Sequence, residues 1–324
     1  SIALPAGSPS AGMGKTIIIS TEKGPALPVQ KALILINPVS GKKTAQHVLL
    51  QTIKTLADGG YVSTVMVSSG RGDICSFAKE YGGEYDLLTV LGGDGTLHEA
   101  VHGLLLSGAK VPVGYIPCGS TNDFAISHKM STNGLEAAKA IVSTKGRVYD
   151  IGRFNDDSFT YLAAFGAFTW MAYTTDQEAK NVLGYGAYIL DGAAAGLNRL
   201  KPIPMKITAD GEVFEGEFLY GTVSNSYSVG GVFEFPKETV DVCDGMFEVF
   251  LIRTPENIQE LQSIVSAILT GDYDNTNIVF RKAKDIYISN PTQCEWALDG
   301  ESSGPFGDAH IQAVPGFLCL RGQD

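Results

Sequence analysis

Apolar residues follow two rhythms along this chain, and the change between them falls near residue 150. Before that point, short and almost unbroken apolar runs alternate with longer stretches whose apolar positions recur every three to four residues. Lys31–Asn37, Tyr61–Val67, Asp86–Leu91 and Val111–Ile116 read as strands buried on both faces. Helices are predicted over about 41–57, 74–81, 96–106 and 135–142, the first carrying Val48, Leu49, Ile53 and Leu56 on one face. Alternation of strand and helix marks a parallel sheet covered on both sides, and such sheets bind ligands at the carboxyl ends of their strands. Beyond residue 150 the pattern is period two, at Met205–Ala209, Glu212–Gly221, Met246–Ile252, Ile278–Ile288 and Glu295–Leu298. Asp210-Gly211, Asp244-Gly245 and Asp299-Gly300 punctuate these runs, so an antiparallel, sandwich-like domain of hairpins is expected, with helices over about 177–198 and 256–269.

The fold class is therefore α/β, an N-terminal parallel-sheet domain (31–150) followed by a C-terminal antiparallel β-sandwich-like domain (151–324) whose last residues can pack back on the first. Residues 1–30 read as an extension or processing remnant, with a β-like run at Thr16–Ser20. The segment Pro9–Thr16 only approaches a Walker A loop, since proline replaces its first glycine and no apolar strand feeds it. Composition narrows the classes further. A net charge of −11 argues against a nucleic-acid binder, whose affinity comes from cationic contacts to phosphate. Five unpatterned cysteines suit a reducing cytoplasm, and no apolar run is long enough to span a bilayer.

Residues 90–103 carry two incompatible chemistries. Gly92-Gly93-Asp94-Gly95-Thr96 follows a strand and opens a helix, a turn that presents backbone N–H groups to a phosphate. Asp94 would repel that phosphate unless a divalent cation lies between them, which points to Mg²⁺ with a nucleotide. The overlapping His98-Glu99-Ala100-Val101-His102 spells H-E-x-x-H, a zinc-hydrolase signature. A third zinc ligand is hard to find, and His98 falls in the first turn of its helix, so the phosphate reading is preferred. Two further polar loops stand at strand ends in the same half, at Asn37–Gly41 and Pro117–Asp123.

Those three blocks are similar in order and spacing to the diacylglycerol kinase catalytic family: Asn37-Pro-Val-Ser40-Gly41, Gly92–Leu97 with Glu99, and Pro117-Cys-Gly119-Ser120-Thr-Asn122-Asp123-Phe-Ala125. The likeness continues through Asp150, Asp241–Met246 and Asp299-Gly300-Glu301, covering about residues 31–320, and soluble bacterial lipid kinases are the relatives it suggests. A lone Gly-Gly-Asp-Gly-Thr also resembles NAD kinases, but the Asn-Asp-Phe-Ala and Leu-Asp-Gly-Glu blocks favour lipid kinases. The resemblance implies ATP as donor, Mg²⁺ as cofactor and a lipid hydroxyl as acceptor, most simply diacylglycerol. It implies a cytoplasmic enzyme in peripheral contact with a membrane surface and leaves the oligomeric state open. It places Asn37, Ser40, Gly41, Gly92, Gly93, Asp94, Gly95, Thr96, Gly119, Ser120, Asn122 and Asp123 at the nucleotide. Asp94, Asp123 and Asp150 become a carboxylate network around metal-bound phosphates, and Asp299 the general base with Glu301 beside it. Asp241, Asp244 and the Met246 carbonyl become a structural Mg²⁺ site.

From the residues alone, Asp299-Gly300 and Asp241–Gly245 read equally as hairpin turns. His98 and His102 stand where relatives often have Asn, while Ser120 and Thr121 depart from a frequent Thr-Gly, and no carboxylate is lost. Phe165, Phe168, Trp170, Met171 and Tyr173 can line a lipid cleft or fill a core, and Lys180, Arg199 and Lys201 are candidate membrane contacts. The competing readings are a kinase of a soluble substrate, of the NAD-kinase type, and a nucleotide- or lipid-binding module without turnover.

Overall fold

The computed structural model describes residues 17–19, 29–120, 122–166, 201–229, 233–235 and 240–323. The expected helix over 177–198 and the aromatic stretch 168–173 lie outside them, as do Lys180 and Arg199. The chain divides into two units, Ser1–Val148 with Phe317–Asp324, and Tyr149–Gly316.

The first unit is a parallel sheet. Its strands are β1 (Ile17–Ile19), β2 (Gln30–Ile36), β3 (Tyr61–Val67), β4 (Leu87–Gly92) and β5 (Val113–Pro117). They stand in the order β1-β3-β2-β4-β5, all parallel except β1, which pairs antiparallel with β3 at the edge. The apolar runs are continuous because both faces are covered. Ala32, Ile34 and Ile36 pack with residues of α1 (Ser40–Asp58) and, further along, α5 (Gly134–Ser143). Leu33 and Leu35, on the opposite side of the pleat, are equally buried. Helices α2 (Asp73–Tyr81) and α3 (Asp94–Ser107) pack against each other at Gly103, where a Cβ would meet the Cys75 carbonyl oxygen at 2.3 Å. A short α4 (Asp123–Ser127) follows β5.

The second unit is antiparallel. It holds β6 (Arg147–Phe154) from Tyr149 on, β7 (Asp157–Phe159), β8 (Leu162–Gly166), β9 (Ile203–Ala209), β10 (Glu212–Ser224), β11 (Ser228–Val229), β12 (Phe233–Glu234), β13 (Phe247–Arg253), α6 (Ile258–Thr270), β14 (Ile278–Ala283), β15 (Asp285–Leu298) and β16 (Glu301–Arg321) as far as Gly316, its last residues belonging to the first unit. The long strands β10 and β15 each pair with β9 along their first part and with β8 along their second, so the sheet folds over on itself. Phe154, Phe159, Phe165, Phe247 and Trp296 fill the interior. Phe165 is thus core, its ring tilted against Trp296, rather than the wall of a cleft.

Two details differ from the sequence expectation. The run Ile278–Ile288 is two strands, broken at Lys284 because the Asp210 carboxylate accepts the N–H groups of Lys284 and Asp285 at 3.2 and 3.0 Å. Asp244-Gly245 does not join a hairpin pair; it precedes β13, whose partners are β10 and β14. Asp210-Gly211 and Asp299-Gly300 do form tight hairpins, each with both residues at positive φ.

Candidate active site

The parallel sheet of the first unit brings its polar loops to one edge. Ile36 is level with Val67 and with Leu91, and Gly92 with Pro117, so the loops after β2, β3, β4 and β5 leave the sheet at the same height. Their backbones then pack on one another. Gly41 has φ +52°, and a Cβ there would stand 1.9 Å from the Cys118 carbonyl oxygen. A Cβ on Gly119 would lie 2.8 Å from the Cα of Gly93, so neither loop tolerates a side chain at the crossing. Cys118 N–H donates to the Gly92 carbonyl at 2.7 Å, and Asn37 N–H to that of Leu91 at 3.0 Å. This is the arrangement a glycine loop needs to bring main-chain donors close to a phosphate.

Side chains then lock the loops. Asn37 Oδ1 accepts from Val39 N–H, turning the chain into α1 at Ser40. Asn122, with φ 55°, accepts the Gly119 N–H at 2.7 Å and donates to its carbonyl, closing the loop that carries Ser120. Thr96 is buried under Gly92. Asp94 opens α3, with Gly95 following it in the first turn, and its Oδ1 accepts from the Tyr115 hydroxyl (3.1 Å) and the Phe124 N–H at the start of α4 (3.3 Å). A carboxylate there favours both helix N-termini and stands at the mouth of the loop. The side chain of Asp123 is outside the description. Cys118, buried beneath the loops, has its thiol pushed up to about 11 by burial, which removes it as a nucleophile near neutrality.

The acidic residues of the second unit divide by burial. Asp299 is 4% exposed, and its carboxylate accepts four hydrogen bonds, from Thr160 N–H (2.6 Å), Thr160 Oγ1 (2.9 Å), Tyr161 N–H (2.9 Å) and Leu162 N–H (3.2 Å). Those four donors match the acceptor capacity of a carboxylate. Glu301, two residues on at the start of β16, is exposed. Asp150 is fully buried in β6, and its oxygens accept from Gly245 N–H at 2.5 Å and Gly316 N–H at 2.6 Å. Its own backbone is held in turn, since Asn225 Nδ2 donates to the Asp150 and Val242 carbonyls.

Two places were expected to hold a metal. Asp94 supplies a hard carboxylate oxygen where a polyphosphate would sit, the donor type Mg²⁺ takes. Asp150, in the second unit, accepts backbone N–H groups with both of its oxygens. At the other place, Asp241 Oδ1 accepts from Cys243 N–H and Asp244 Oδ1 from Met246 N–H. The cation on Asp244 Oδ2 is the Lys282 ammonium, at 2.6 Å, so in this arrangement Asp244 is paired within the chain. Among the described residues no three His, Cys, Asp or Glu side chains cluster for a metal. His98 and His102 stack one turn apart, but Glu99 between them gives both oxygens to Gly72 N–H, a structural task rather than a general base for zinc chemistry.

Two features escaped the sequence reading. Glu248 in β13 is fully buried, 3.8 Å from Lys282, and burial pushes its carboxyl up to about 8, against the pull of the ammonium. It sits opposite Lys282 across the β13–β14 ladder, a pairing visible only once the register is known. The second is the loop Ser68–Gly72 after β3, whose small residues, a single Arg71 and the Gly-Asp that opens α2 were the available signal.

Comparison with known proteins agrees with this geometry. Residues 31–154 match the family model of the diacylglycerol kinase catalytic domain, and residues 172–321 that of the YegS C-terminal NAD kinase beta sandwich-like domain. The chain is 32% identical to a diacylglycerol kinase of Bacillus subtilis over 279 residues, 85% of this chain and 91% of that one. It is 30% identical to a diacylglycerol kinase of Staphylococcus carnosus, over 90% and 93% of the two chains. A crystal structure of a diacylglycerol kinase from Bacillus anthracis superposes with a TM-score of 0.69 at 26% identity, covering 91% of this chain and 98% of the other.

Proposed function

The chain belongs to the diacylglycerol kinase family, an ATP-dependent lipid kinase by that membership, and from this premise we propose that it phosphorylates the free hydroxyl of diacylglycerol to give phosphatidate. The observation that carries the reading is the crossing of three glycine-bearing loops at backbone distance, with Asp94 fixed at the mouth of α3. Asn37, Ser40, Gly41, Gly92–Thr96, Gly119, Ser120 and Asn122 form the proposed cradle for the nucleotide, main-chain donors facing its phosphates. Mg²⁺, held through Asp94 and Asp123, supplies charge neutralisation on the triphosphate when bound. The protein's own contribution is alignment, since phosphoryl transfer asks for positioning more than for covalent help.

The acceptor hydroxyl needs a base. The four donors already on Asp299 favour a different division of labour from one in which that residue takes the proton. In this proposal Asp299 fixes the turn Thr160–Leu162, and the exposed Glu301 accepts the hydroxyl proton. Because the acceptor is a membrane lipid, the enzyme meets it peripherally at a bilayer surface in the cytoplasm; no helix of the described residues is long and apolar enough to cross a membrane.

Transfer of label from γ-labelled ATP into diacylglycerol in mixed micelles with Mg²⁺ tests the reading, with Glu301→Gln as the comparison. Labelled phosphatidate from the wild type alone is the expected result. Label appearing only in a water-soluble product would transfer the assignment to a soluble acceptor, and ATP binding without any transfer would leave a binding module.

A further inference from the structure

The second and third turns of α3 carry a pair of imidazoles that the activity described so far does not use. His98 and His102 are four residues apart, a spacing that puts their Cβ atoms about 5–6 Å apart on one side of a helix. Their rings lie 6.3 Å apart, centroid to centroid, and nearly parallel, at 13°. The backbone beneath them is held by packing. Leu97, Ala100, Val101 and Leu104 are buried, and Gly103 fits against the Cys75 carbonyl of α2. Both histidines remain partly exposed.

Of the five histidines in the chain, these two are the pair whose rings come together among the described residues. His128 lies against the Phe124 carbonyl at 2.9 Å and His310 against Asp285 at 2.6 Å. Glu99, between the pair, is turned onto Gly72 N–H, so ring nitrogens are the ligands this face offers. Zn²⁺ bonds an imidazole nitrogen at about 2.0–2.1 Å, so the two nitrogens it bridges must come within about 4 Å of each other. Rotation about χ2, a soft torsion in His, turns both ring edges toward a common point while the helix stays as it is. The second nitrogen of each ring can keep a bond within the protein, which orients the ring for the ion. No third His, Cys, Asp or Glu joins them among the described residues, so water completes the coordination and the ion exchanges with solution.

We propose that His98 and His102 form an exchangeable two-imidazole site for a first-row divalent ion of the zinc class, which clasps the second and third turns of α3. The site stands apart from the kinase reading, and no step of phosphoryl transfer passes through it. Imidazole selects ions such as Zn²⁺ and Ni²⁺, whereas the carboxylate oxygen of Asp94 suits Mg²⁺, so the two places take different metals. An ion bridging residues 98 and 102 stiffens the helix that opens at Asp94.

The test is calorimetric titration of the full chain, free of nucleotide and kept reduced, with Zn²⁺ and with Ni²⁺, for wild type, His98→Asn, His102→Asn and His47→Asn. Wild type and His47→Asn are expected to bind alike. His98→Asn and His102→Asn should each weaken binding roughly tenfold or more, because a chelate falls to a single contact. Excess Mg²⁺ should leave the affinity unchanged, since it prefers oxygen ligands. Saturating Zn²⁺ should raise the melting temperature of the wild type and leave that of the two site variants where it was. Gln variants at the same positions repeat the comparison if an Asn variant melts early without metal. Binding undiminished in both site variants overturns the proposal by placing the ion on thiols or another histidine. Loss in only one of them overturns the bridge, and a wild type that binds neither ion overturns the site.

Discussion

Asp299→Asn and Glu301→Gln are both conservative changes of neighbouring acids, yet the structure predicts opposite phenotypes. Asp299 accepts four hydrogen bonds inside the second unit, three of them from consecutive backbone N–H groups. The Asn amide turns one acceptor oxygen into a donor facing donors, so two of the four bonds are lost and two buried donors are left unmatched. At about 1.5–3 kcal/mol for each bond to a charged group, the expected loss is about 3–6 kcal/mol, a large part of the roughly 5–15 kcal/mol that holds a domain. Glu301 lies exposed, so Gln in its place should leave stability unchanged. Removing a proton acceptor typically lowers turnover by about 10²- to 10⁴-fold, and Glu301→Gln should do so with little change in the KM for ATP. Urea denaturation midpoints, followed beside turnover in mixed micelles well below the melting temperature, separate the two effects. An Asp299→Asn protein of wild-type stability with no turnover, next to an active Glu301→Gln, would refute the division of roles.

Three further outcomes are expected. The Glu248 carboxyl, raised from 4.5 to about 8 by burial, keeps its proton in the folded chain after the unfolded chain has lost it. Its contribution is therefore full below the lower value and lost as pH rises toward the higher one, with a slope of at most about 1.4 kcal/mol per pH unit. Glu248→Gln should remove that slope, with Lys282, Asp244 and Asp241 left as the charges nearby, and identical pH–stability profiles would contradict it. Gly41→Ala places a Cβ against the Cys118 carbonyl at positive φ, and should raise the KM for ATP by tenfold or more, at about 1.4 kcal/mol per decade. Trp296→Ala should cost about 3–5 kcal/mol, because the side chain is fully buried between Phe154 and Phe165, and calorimetry would show it as a lowered melting temperature.

How much of this could be read from the sequence depended on where the information was local. The strand Tyr61–Val67 is found at its expected bounds because an apolar run ended by small residues needs no distant partner to define it. The glycine blocks were legible for the same reason: their spacing within one loop is the chemistry. What failed was long-range. Ile278–Ile288 looks continuous until Asp210, about seventy residues earlier, takes the N–H groups of Lys284 and Asp285. Asp299 reads as a free carboxylate until Thr160–Leu162 are placed against it. Glu248 gives no warning of its burial, since a lone Glu in an alternating strand ordinarily points to water. The resemblance to the kinase family supplied the chemistry of the loops, but not which carboxylates are already engaged inside the fold.

The end of β16 has a bearing on how the protein is made. Leu320 and Arg321 pair in parallel with Val113 and Gly114 of β5, Arg321 Nη1 donates to the Tyr61 hydroxyl at 2.8 Å, and Gly322 N–H to Thr144 Oγ1 at 2.9 Å. These residues leave the ribosome roughly 200 positions after β5, at about 5–20 residues per second. During that interval the first unit presents β5 as an open strand edge, a template for pairing with another nascent chain. The first two glycine loops precede β5 in the chain, but the open edge of their sheet is covered only by a strand that follows roughly 200 residues later. Truncation or a rigid fusion just after Gly316 should therefore show first as aggregation during expression rather than as a defect in chemistry.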